Sequence, residues 1–152
     1  MNIKLIGPEN RKLFTVVEFK DLHRAVRTGV AMIRFLQRTP GLGLAANQAG
    51  IMERVCVAKL DGRFRMFIDP HITLRLGKQI SRGEGCLSFP GVRGDVVRPQ
   101  RIQVRWKDVQ DWQVTERTQD FQDLNAIILE HEIDHLDGIR CIDKMKNKRR
   151  IE

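Results

Sequence analysis

The sequence predicts an α+β fold in which antiparallel β-sheets pack around a central helix, with another helix near the N-terminus. Three observations predict it: two segments space their apolar residues like helices, several short segments between them alternate apolar and polar residues, and turn sequences separate those segments. The strands follow one another without intervening helices, which favours antiparallel sheets over βαβ units. At this length we expect a single domain that spans residues 1–152.

The two helices are predicted from apolar spacing and from the residues that end them. Over residues 21–38, apolar side chains recur at helical spacing with lysine and arginine between them, and Thr39-Pro40-Gly41 ends the helix. The central helix is predicted from Asp120 to about Leu136, and Asp137-Gly138 ends it.

The strands are predicted from alternation and from turn residues. The turn Asp61-Gly62 and alternating segments predict strands at Arg54–Leu60, Phe64–Ile68, His71–Leu76 and Arg101–Trp106. Trp112–Thr115 is expected to pair with the last of them. Glycine and proline crowd Ser81–Pro99, which we interpret as a loop with extended pieces.

Composition excludes several classes of protein. No apolar run is long enough to span a bilayer, and the first residues have no apolar signal-peptide region, so we expect no membrane contact and a cytoplasmic location. Three cysteines are too few for a disulfide framework. Cys56 lies among apolar residues and is interpreted as a small buried hydrophobe.

The net charge of +8 favours contact with polyanions. Part of it is clustered in the run from Lys144 to Arg150. We interpret this run as a solvated, frayed tail. The alternative is a weak attraction to nucleic acid, specifically to ribosomal RNA.

The segment His131-Glu-Ile-Asp-His135 on the central helix is the strongest indication of chemistry. Residues four apart lie on one helix face, so His131 and His135 can reach the same metal ion. Glu132 is then placed to take a proton from a metal-bound water. A chance match, or two core histidines bound to backbone carbonyls, is the alternative.

A hydrolytic site of this kind needs a third protein ligand and an open position for water. Downstream of the histidines, Asp137, Asp143 and Glu152 are weakly placed. Upstream, Cys86 follows a glycine in Glu-Gly-Cys-Leu-Ser, and a cysteine bound to a cation ionises to thiolate. A Cys/His/His/water site is the simplest assembly, and an ordinary loop thiol is the alternative for Cys86.

The glycine-rich loop over residues 41–48 is the third element. Its small residues let an extended peptide lie against the backbone, and Gln48 ends it with an amide that can donate to a developing oxyanion. A tight connection with a buried polar cap is an equally good interpretation of the loop alone.

These three segments resemble, in the same order, the three motifs of the peptide deformylase family. GLGLAANQ is similar to GxGLAAxQ, EGCLS is identical to the second motif, and HEIDH is similar to HExDH; PGVR at 90–93 and HLDG at 135–138 are further matches. The resemblance extends from about Leu36 to Asp143. It implies a peptide deformylase-like fold. The resemblance is to the short members of the family, which lack a long C-terminal helix and include phage-encoded ones.

The resemblance also implies a role for individual residues. The metal would be bound by Cys86, His131 and His135. Glu132 would be the general base and then the acid, while the Gln48 side chain and the Leu87 N–H would hold the oxyanion. Substrate would be bound by Leu42, Gly43, Leu44, Glu84, Arg93, Leu124, Ile127 and Ile128. Of these, Gly43 and Leu44 would pair with the peptide backbone, and Arg93 would lie at the pocket mouth. Arg98 would pair with Asp134.

The implied reaction removes the formyl group from the N-terminal formyl-methionine of newly made peptides and releases formate, with a metal-bound water attacking the formyl carbon. Ligand type points to zinc, whereas the resemblance points to ferrous iron, with nickel or cobalt as substitutes; we favour iron. The expected partners are nascent peptides, with a weak ribosome contact through the basic run. We expect the protein to be a monomer in the cytoplasm of a bacterium or of a phage-infected host. The alternatives are a peptidase that cuts internal peptide bonds and a non-catalytic RNA-binding protein whose metal only stabilises the fold.

Overall fold

A computed structural model describes residues 1–151, so Glu152, one of the weaker ligand candidates, lies outside the described residues. The chain has the predicted α+β architecture, with two antiparallel sheets. Its elements are α1 (Leu22–Leu36), β1 (Gly43–Ala45), β2 (Val55–Leu60), β3 (Arg63–Leu76), β4 (Gln79–Cys86), β5 (Phe89–Arg98), β6 (Arg101–Gln110), β7 (Gln113–Gln122), α2 (Leu124–Leu136), α3 (Cys141–Lys144) and β8 (Lys146–Arg150). One sheet has the order β1-β2-β3-β6-β7 and the other β4-β5-β8.

The first helix forms where the apolar spacing predicts it. The Asp21 carboxylate accepts a hydrogen bond from the Arg24 backbone N–H at 3.0 Å, which satisfies one of the free donors of the first turn. Met32 and Leu36 on its inner face are buried against β2 and the short strand β1. This helix covers one face of the five-stranded sheet.

The central helix α2 lies on the other face of that sheet. Leu129 and Ile133 pack among the aromatic side chains of Phe67, Trp106 and Phe121. Residues 128–136 of α2 are all buried, including its charged and histidine side chains. The helix therefore carries its polar groups into the interior, where each requires a partner.

Four strand predictions are wrong in their extent, and one of these strands, predicted at Arg101–Trp106, continues to Gln110 as β6. The two segments predicted on either side of Asp69 form one strand, β3, with a register shift after Ile68 and a positive φ of 50° at Asp69. The bulge interrupts the alternation that a sequence pattern relies on. The segment predicted to begin α2 at Asp120 continues β7 instead, and the helix begins at Leu124. The short strand predicted at 112–115 is the beginning of this longer strand.

The prediction of a loop over Ser81–Pro99 is also wrong, because the segment forms the β4–β5 hairpin. Gly83 and Gly91 have φ values of 63° and 77°, a region that glycine adopts without the steric cost of a Cβ. Two register shifts interrupt the pairing of β4 with β5. The glycines therefore mark bulges and turns within a strand pair rather than a loop.

The basic run is not a frayed tail in the described residues. Lys146–Arg150 forms strand β8, which pairs with β5 and keeps all five side chains exposed. Its order comes from backbone hydrogen bonds to a neighbouring strand, a contact that composition does not predict. No helix of the described chain is long and apolar enough to cross a membrane.

Candidate active site

Three potential metal ligands meet between the two sheets. Cys86 ends β4, while His131 and His135 lie one turn apart on α2, and their ligand atoms are all within 4.8 Å of one another. The Cys86 sulfur lies 3.3 Å from His135 Nε2. The other ligand candidates are occupied elsewhere, since Asp137 accepts from Arg54 at 2.9 Å and Asp143 from Arg140 at 2.9 Å.

Glu84 orients the first histidine. Its carboxylate lies 2.7 Å from His131 Nδ1 and also accepts hydrogen bonds from the Arg98 guanidinium. Burial alone would raise the pKa of Glu84, but the hydrogen bonds from His131 and Arg98 lower it to about 2. An ionised Glu84 leaves the Nε2 lone pair of His131 free for a metal. Glu84 lines the cavity, but these contacts fit a supporting role better than the substrate-binding role expected.

Arg98 is fully buried and connects Glu84 to the helix. Its Nη1 donates to Glu130 at 2.9 Å and to Asp134 at 2.8 Å, so the expected Arg98–Asp134 pair is present. Lys144 also donates to Asp134, at 2.6 Å. Sequence reasoning missed Glu130 and Lys144, because neither belongs to a motif that assigns it a partner.

Glu132 is buried beside the ligand group with unused hydrogen-bonding capacity. Its Oε1 lies 3.9 Å from His131 Nε2, and its Oε2 is buried without a hydrogen-bond partner. Burial raises the pKa of Glu132 to about 7. The helix can approach β1 this closely because residue 43 is glycine: a Cβ there would lie 2.7 Å from Glu132 Cγ and Oε1. Glu132 is thus suited to exchange a proton near neutral pH.

Gln48 is held with its amide beside the ligand group. Its Oε1 accepts from the Ala45 N–H at 2.9 Å, while Nε2 donates to Ser88 Oγ at 2.9 Å and lies 3.4 Å from the Cys86 sulfur. Ser88 belongs to the EGCLS segment, but no pattern in the sequence assigns it this contact. The amide is aimed by two fixed partners rather than free to rotate.

A cavity of about 430 Å³ opens over these groups. Nine of the residues that the sequence assigned to substrate or oxyanion contact line it, together with Cys86, His131 and Glu132; those nine are Leu42, Gly43, Gln48, Glu84, Leu87, Arg93, Leu124, Ile127 and Ile128. Leu44 is different, because its side chain is buried in the core under α1 and only its backbone belongs to the edge strand. Among the described strands β1 pairs only with β2, so its outer edge is unpaired.

A second thiol lies behind Cys86. Cys141, which the sequence left unassigned, is buried at the start of α3, and Cys86 packs against the small core cluster to which it belongs. The neighbouring Cys141 and His135 lower the pKa of Cys86 well below that of an ordinary thiol, and the proximity of Cys86 together with burial raises the pKa of Cys141.

The residues present fit a divalent transition metal. One sulfur and two imidazole nitrogens form a three-ligand set of the kind that hydrolytic sites use. A carboxylate supports one of the histidines, and the unpartnered Glu132 oxygen lies beside the set.

Comparison with known proteins gives a consistent result. The model of the polypeptide deformylase family matches residues 10–151. The chain is 37% identical over 139 residues to the peptide deformylase of Chlorobaculum parvum, covering 86% of this chain and 72% of that protein. It is 37% identical over 144 residues to that of Thermoanaerobacter pseudethanolicus, covering 93% and 87%.

Solved structures agree with the sequence relatives. The structure of a peptide deformylase from Synechococcus elongatus in complex with actinonin superposes with a TM-score of 0.85 at 30% identity, covering 95% of this chain and 79% of that one. The Thermotoga maritima peptide deformylase gives 0.87 at 26% identity, covering 96% and 99%. The predicted family resemblance and fold class are therefore confirmed. Family membership implies a divalent metal and deformylation of peptides that begin with formyl-methionine: the chain belongs to the polypeptide deformylase family of enzymes.

Proposed function

We propose that the chain hydrolyses the formamide of N-terminal formyl-methionine on newly made peptides, with one divalent metal held by Cys86, His131 and His135. The observation that carries the proposal is the convergence of these ligand atoms within 4.8 Å, beside a buried carboxylate and in the wall of an open cavity. When bound, the metal supplies Lewis-acid chemistry, which makes water acidic and polarises a carbonyl oxygen.

The protein side chains move the protons and hold the developing charge. Glu132 takes a proton from the attacking water and passes it to the departing amine, for which a pKa of about 7 is well matched to neutral pH. Gln48 Nε2 and the Leu87 N–H donate to the formyl oxygen as it gains negative charge. The fixed contacts of Gln48 with Ala45 and Ser88 support this role, because a preorganised donor does not have to reorient during the reaction.

The cavity and the edge strand β1 would bind the side chain and the backbone of the substrate. Leu42, Leu124, Ile127 and Ile128 line the cavity, the first two with exposed side chains, and would form an apolar surface for the methionine side chain. The free edge of β1 at Gly43 and Leu44 offers backbone groups to an extended peptide, which would add as a further strand. Arg93, which lines the same cavity, would stand near its mouth.

We propose ferrous iron as the native metal, with zinc, nickel and cobalt as substitutes. A mixed sulfur and imidazole set accepts all of these ions, so the ligands alone do not select one of them. The test is metal analysis of protein purified without oxygen, with activity measured after reloading with each ion. Full activity with zinc and none with ferrous iron would refute the choice of iron.

Formate release from formyl-Met-Ala-Ser tests the reaction. Nickel-loaded protein should release formate rapidly, and an unformylated peptide should remain uncut. Glu132→Ala should keep the metal and lose about two to four orders of magnitude in rate. Near-normal turnover by that variant would remove Glu132 from the mechanism, and cleavage of the unformylated peptide would favour an internal peptidase.

Gln48→Ala tests the oxyanion contact. The variant should lose about two to four kcal/mol of transition-state stabilisation with little change in metal content. Gln110→Ala, at an exposed position on β6, is the matched control and should behave as wild type. An unchanged rate in Gln48→Ala would exclude the contact.

The basic strand β8 supports a weak contact with ribosomal RNA. Its five side chains are exposed and four of them are lysine or arginine. Contacts of this type weaken steeply with salt. Cosedimentation with ribosomes should therefore fall with salt and with Lys148→Glu/Arg150→Glu, while activity on the short peptide is retained; binding unaffected by both would refute the contact.

A further inference from the structure

Cys141 lies beside the ligand Cys86 but has no part in the proposed hydrolysis. Cys141 is 2% exposed and packs with Val96 and Met145, and Cys86 lies against this same cluster. The Cys141 sulfur also lies within 4.8 Å of a His131 ring nitrogen and a Glu84 oxygen, and Cys141 is not among the residues that line the cavity. The third cysteine, Cys56, is buried in the other core cluster, on β2.

The two sulfurs differ in access to small solutes. Cys86 is only partly buried and lines the 430 Å³ cavity, so a molecule as small as hydrogen peroxide can reach its sulfur. Cys141 is shielded from the cavity. An accessible cysteine sulfur with a second thiol packed beside it has the arrangement that allows a first oxidation product to be trapped as a disulfide.

We propose that Cys141 is a resolving thiol for Cys86: when a hydroperoxide oxidises the Cys86 sulfur, Cys141 closes a Cys86–Cys141 disulfide and keeps the loss of the metal centre reversible. In the first step the Cys86 thiolate attacks one peroxide oxygen, which forms Cys86–SOH and releases hydroxide. In the second step the Cys141 sulfur attacks the Cys86 sulfur, the S–O bond breaks, and the thiol proton leaves with the departing oxygen as water. The two sulfurs are oxidised together by two electrons, and one peroxide is reduced.

The consequence for the metal follows from the ligand set. A sulfur in a disulfide is no longer a thiolate, so only His131 and His135 would remain as ligands and the metal would leave. This step rests on the proposed role of Cys86 as a ligand. The disulfide itself does not, because peptide mass detects it without metal or activity. Without Cys141, the Cys86 sulfenic acid would proceed to sulfinic and sulfonic acids, which thiols do not reverse.

Peroxide treatment of the zinc-loaded full chain tests the proposal, because zinc itself is not redox-active. After alkylation of free thiols, trypsin without reductant should yield residues 83–93 joined to residues 141–144, at about 2 Da below the sum of the two peptides. Zinc release to a chromogenic chelator should parallel the appearance of this cross-link. Dithiothreitol followed by zinc should restore most of the starting deformylase activity.

Variants at the three cysteines make the result specific. Cys141→Ser and Cys141→Ala should show the 83–93 peptide about 32 or 48 Da heavier, and reductant with zinc should not restore their own starting activity. Cys56→Ala, also buried, is the matched control and should form the cross-link as wild type does. A wild-type map with sulfinic or sulfonic Cys86 and no cross-link, or with a cross-link to Cys56, overturns the proposal. This map is decisive even if both Cys141 variants fail to fold.

Discussion

Substitution of Gly43 by alanine tests how closely the general base is held against the substrate strand. A Cβ at residue 43 would lie 2.7 Å from Glu132 Cγ and Oε1, whereas ordinary contacts begin at 3.4 Å. Because Glu132 is buried at 4% exposure with α2 packed behind it, the carboxylate must move by about 0.7 Å to accept the methyl group. The backbone conformation at Gly43 is extended, so the substitution introduces a steric change without backbone strain.

The size of the effect follows from this displacement. A misplacement of about 1 Å in a catalytic group costs about 10²-fold in rate, so we expect Gly43→Ala to lower kcat by about 10- to 100-fold, or about 1.4–2.7 kcal/mol. Metal content should be unchanged, since the three atoms nearest the new methyl group all belong to Glu132 and none to a ligand. Gly7→Ala, where a Cβ has nothing within 4 Å, is the matched control.

The kinetic pattern distinguishes two roles of Gly43. If the methyl group displaces Glu132, kcat falls and Gly43→Ala adds little to the loss already caused by Glu132→Ala, because both changes remove the same interaction. If it only obstructs the peptide backbone at the β1 edge, KM rises and the two losses add. Formate release by Gly43→Ala within twofold of wild type would refute the close contact itself.

Three further substitutions probe the groups that hold the site. Ser88→Ala removes one hydrogen-bond partner of the Gln48 amide and should lower kcat by about tenfold, a loss equivalent to one neutral hydrogen bond, with full metal content. An unchanged kcat on formyl-Met-Ala-Ser would show that the contact is dispensable. Glu84→Gln removes the charge that orients His131 and should weaken metal affinity by about 10- to 100-fold, measured by competition with a chelator; equal affinity would contradict the orienting role. Arg98→Met removes the guanidinium that three buried carboxylates share, although Asp134 keeps Lys144 and Glu130 keeps Arg75. The variant should lower the free energy of unfolding by about 3–5 kcal/mol in urea titration, with a loss below about 1 kcal/mol contradicting the argument.

The sequence predicts those elements whose order comes from their own apolar pattern. Helix α1 buries one face against a core, and strand β2 buries side chains on both of its faces, so their apolar residues locate them to within two residues. Strand β7 has nine exposed residues of ten and β8 has all five exposed, which leaves no alternation to detect. Their backbones are fixed by pairing with β6 and β5, a cause that lies elsewhere in the chain.

The same distinction applies to the site. Two of the metal ligands lie within five residues of sequence, so helix geometry alone brings them together, and the motif resemblance supplies the sulfur of Cys86. The residues that hold the side chains of the site in place come from distant segments. Ser88 accepts from Gln48 across 40 residues, and Arg98 donates to Glu130 across 32. No local pattern records such contacts, so only the folded chain reveals them. Cys141 was overlooked for the same reason.

The cluster of Arg98 with Glu84, Glu130 and Asp134 explains how ligands on a helix and on a strand of a different sheet keep a fixed spacing. His131 and His135 belong to α2, which packs on the five-stranded sheet, while Cys86 belongs to the three-stranded sheet. Arg98 on β5 reaches Glu84 on its own sheet and two carboxylates of α2.

Replacing such a buried cluster by apolar residues is often neutral or stabilising, so its value here is geometric rather than energetic. Apolar contacts are non-directional, whereas a planar guanidinium with fixed donors sets both distance and orientation between the elements that it joins. We therefore expect Arg98→Met to weaken metal binding even where the variant remains folded.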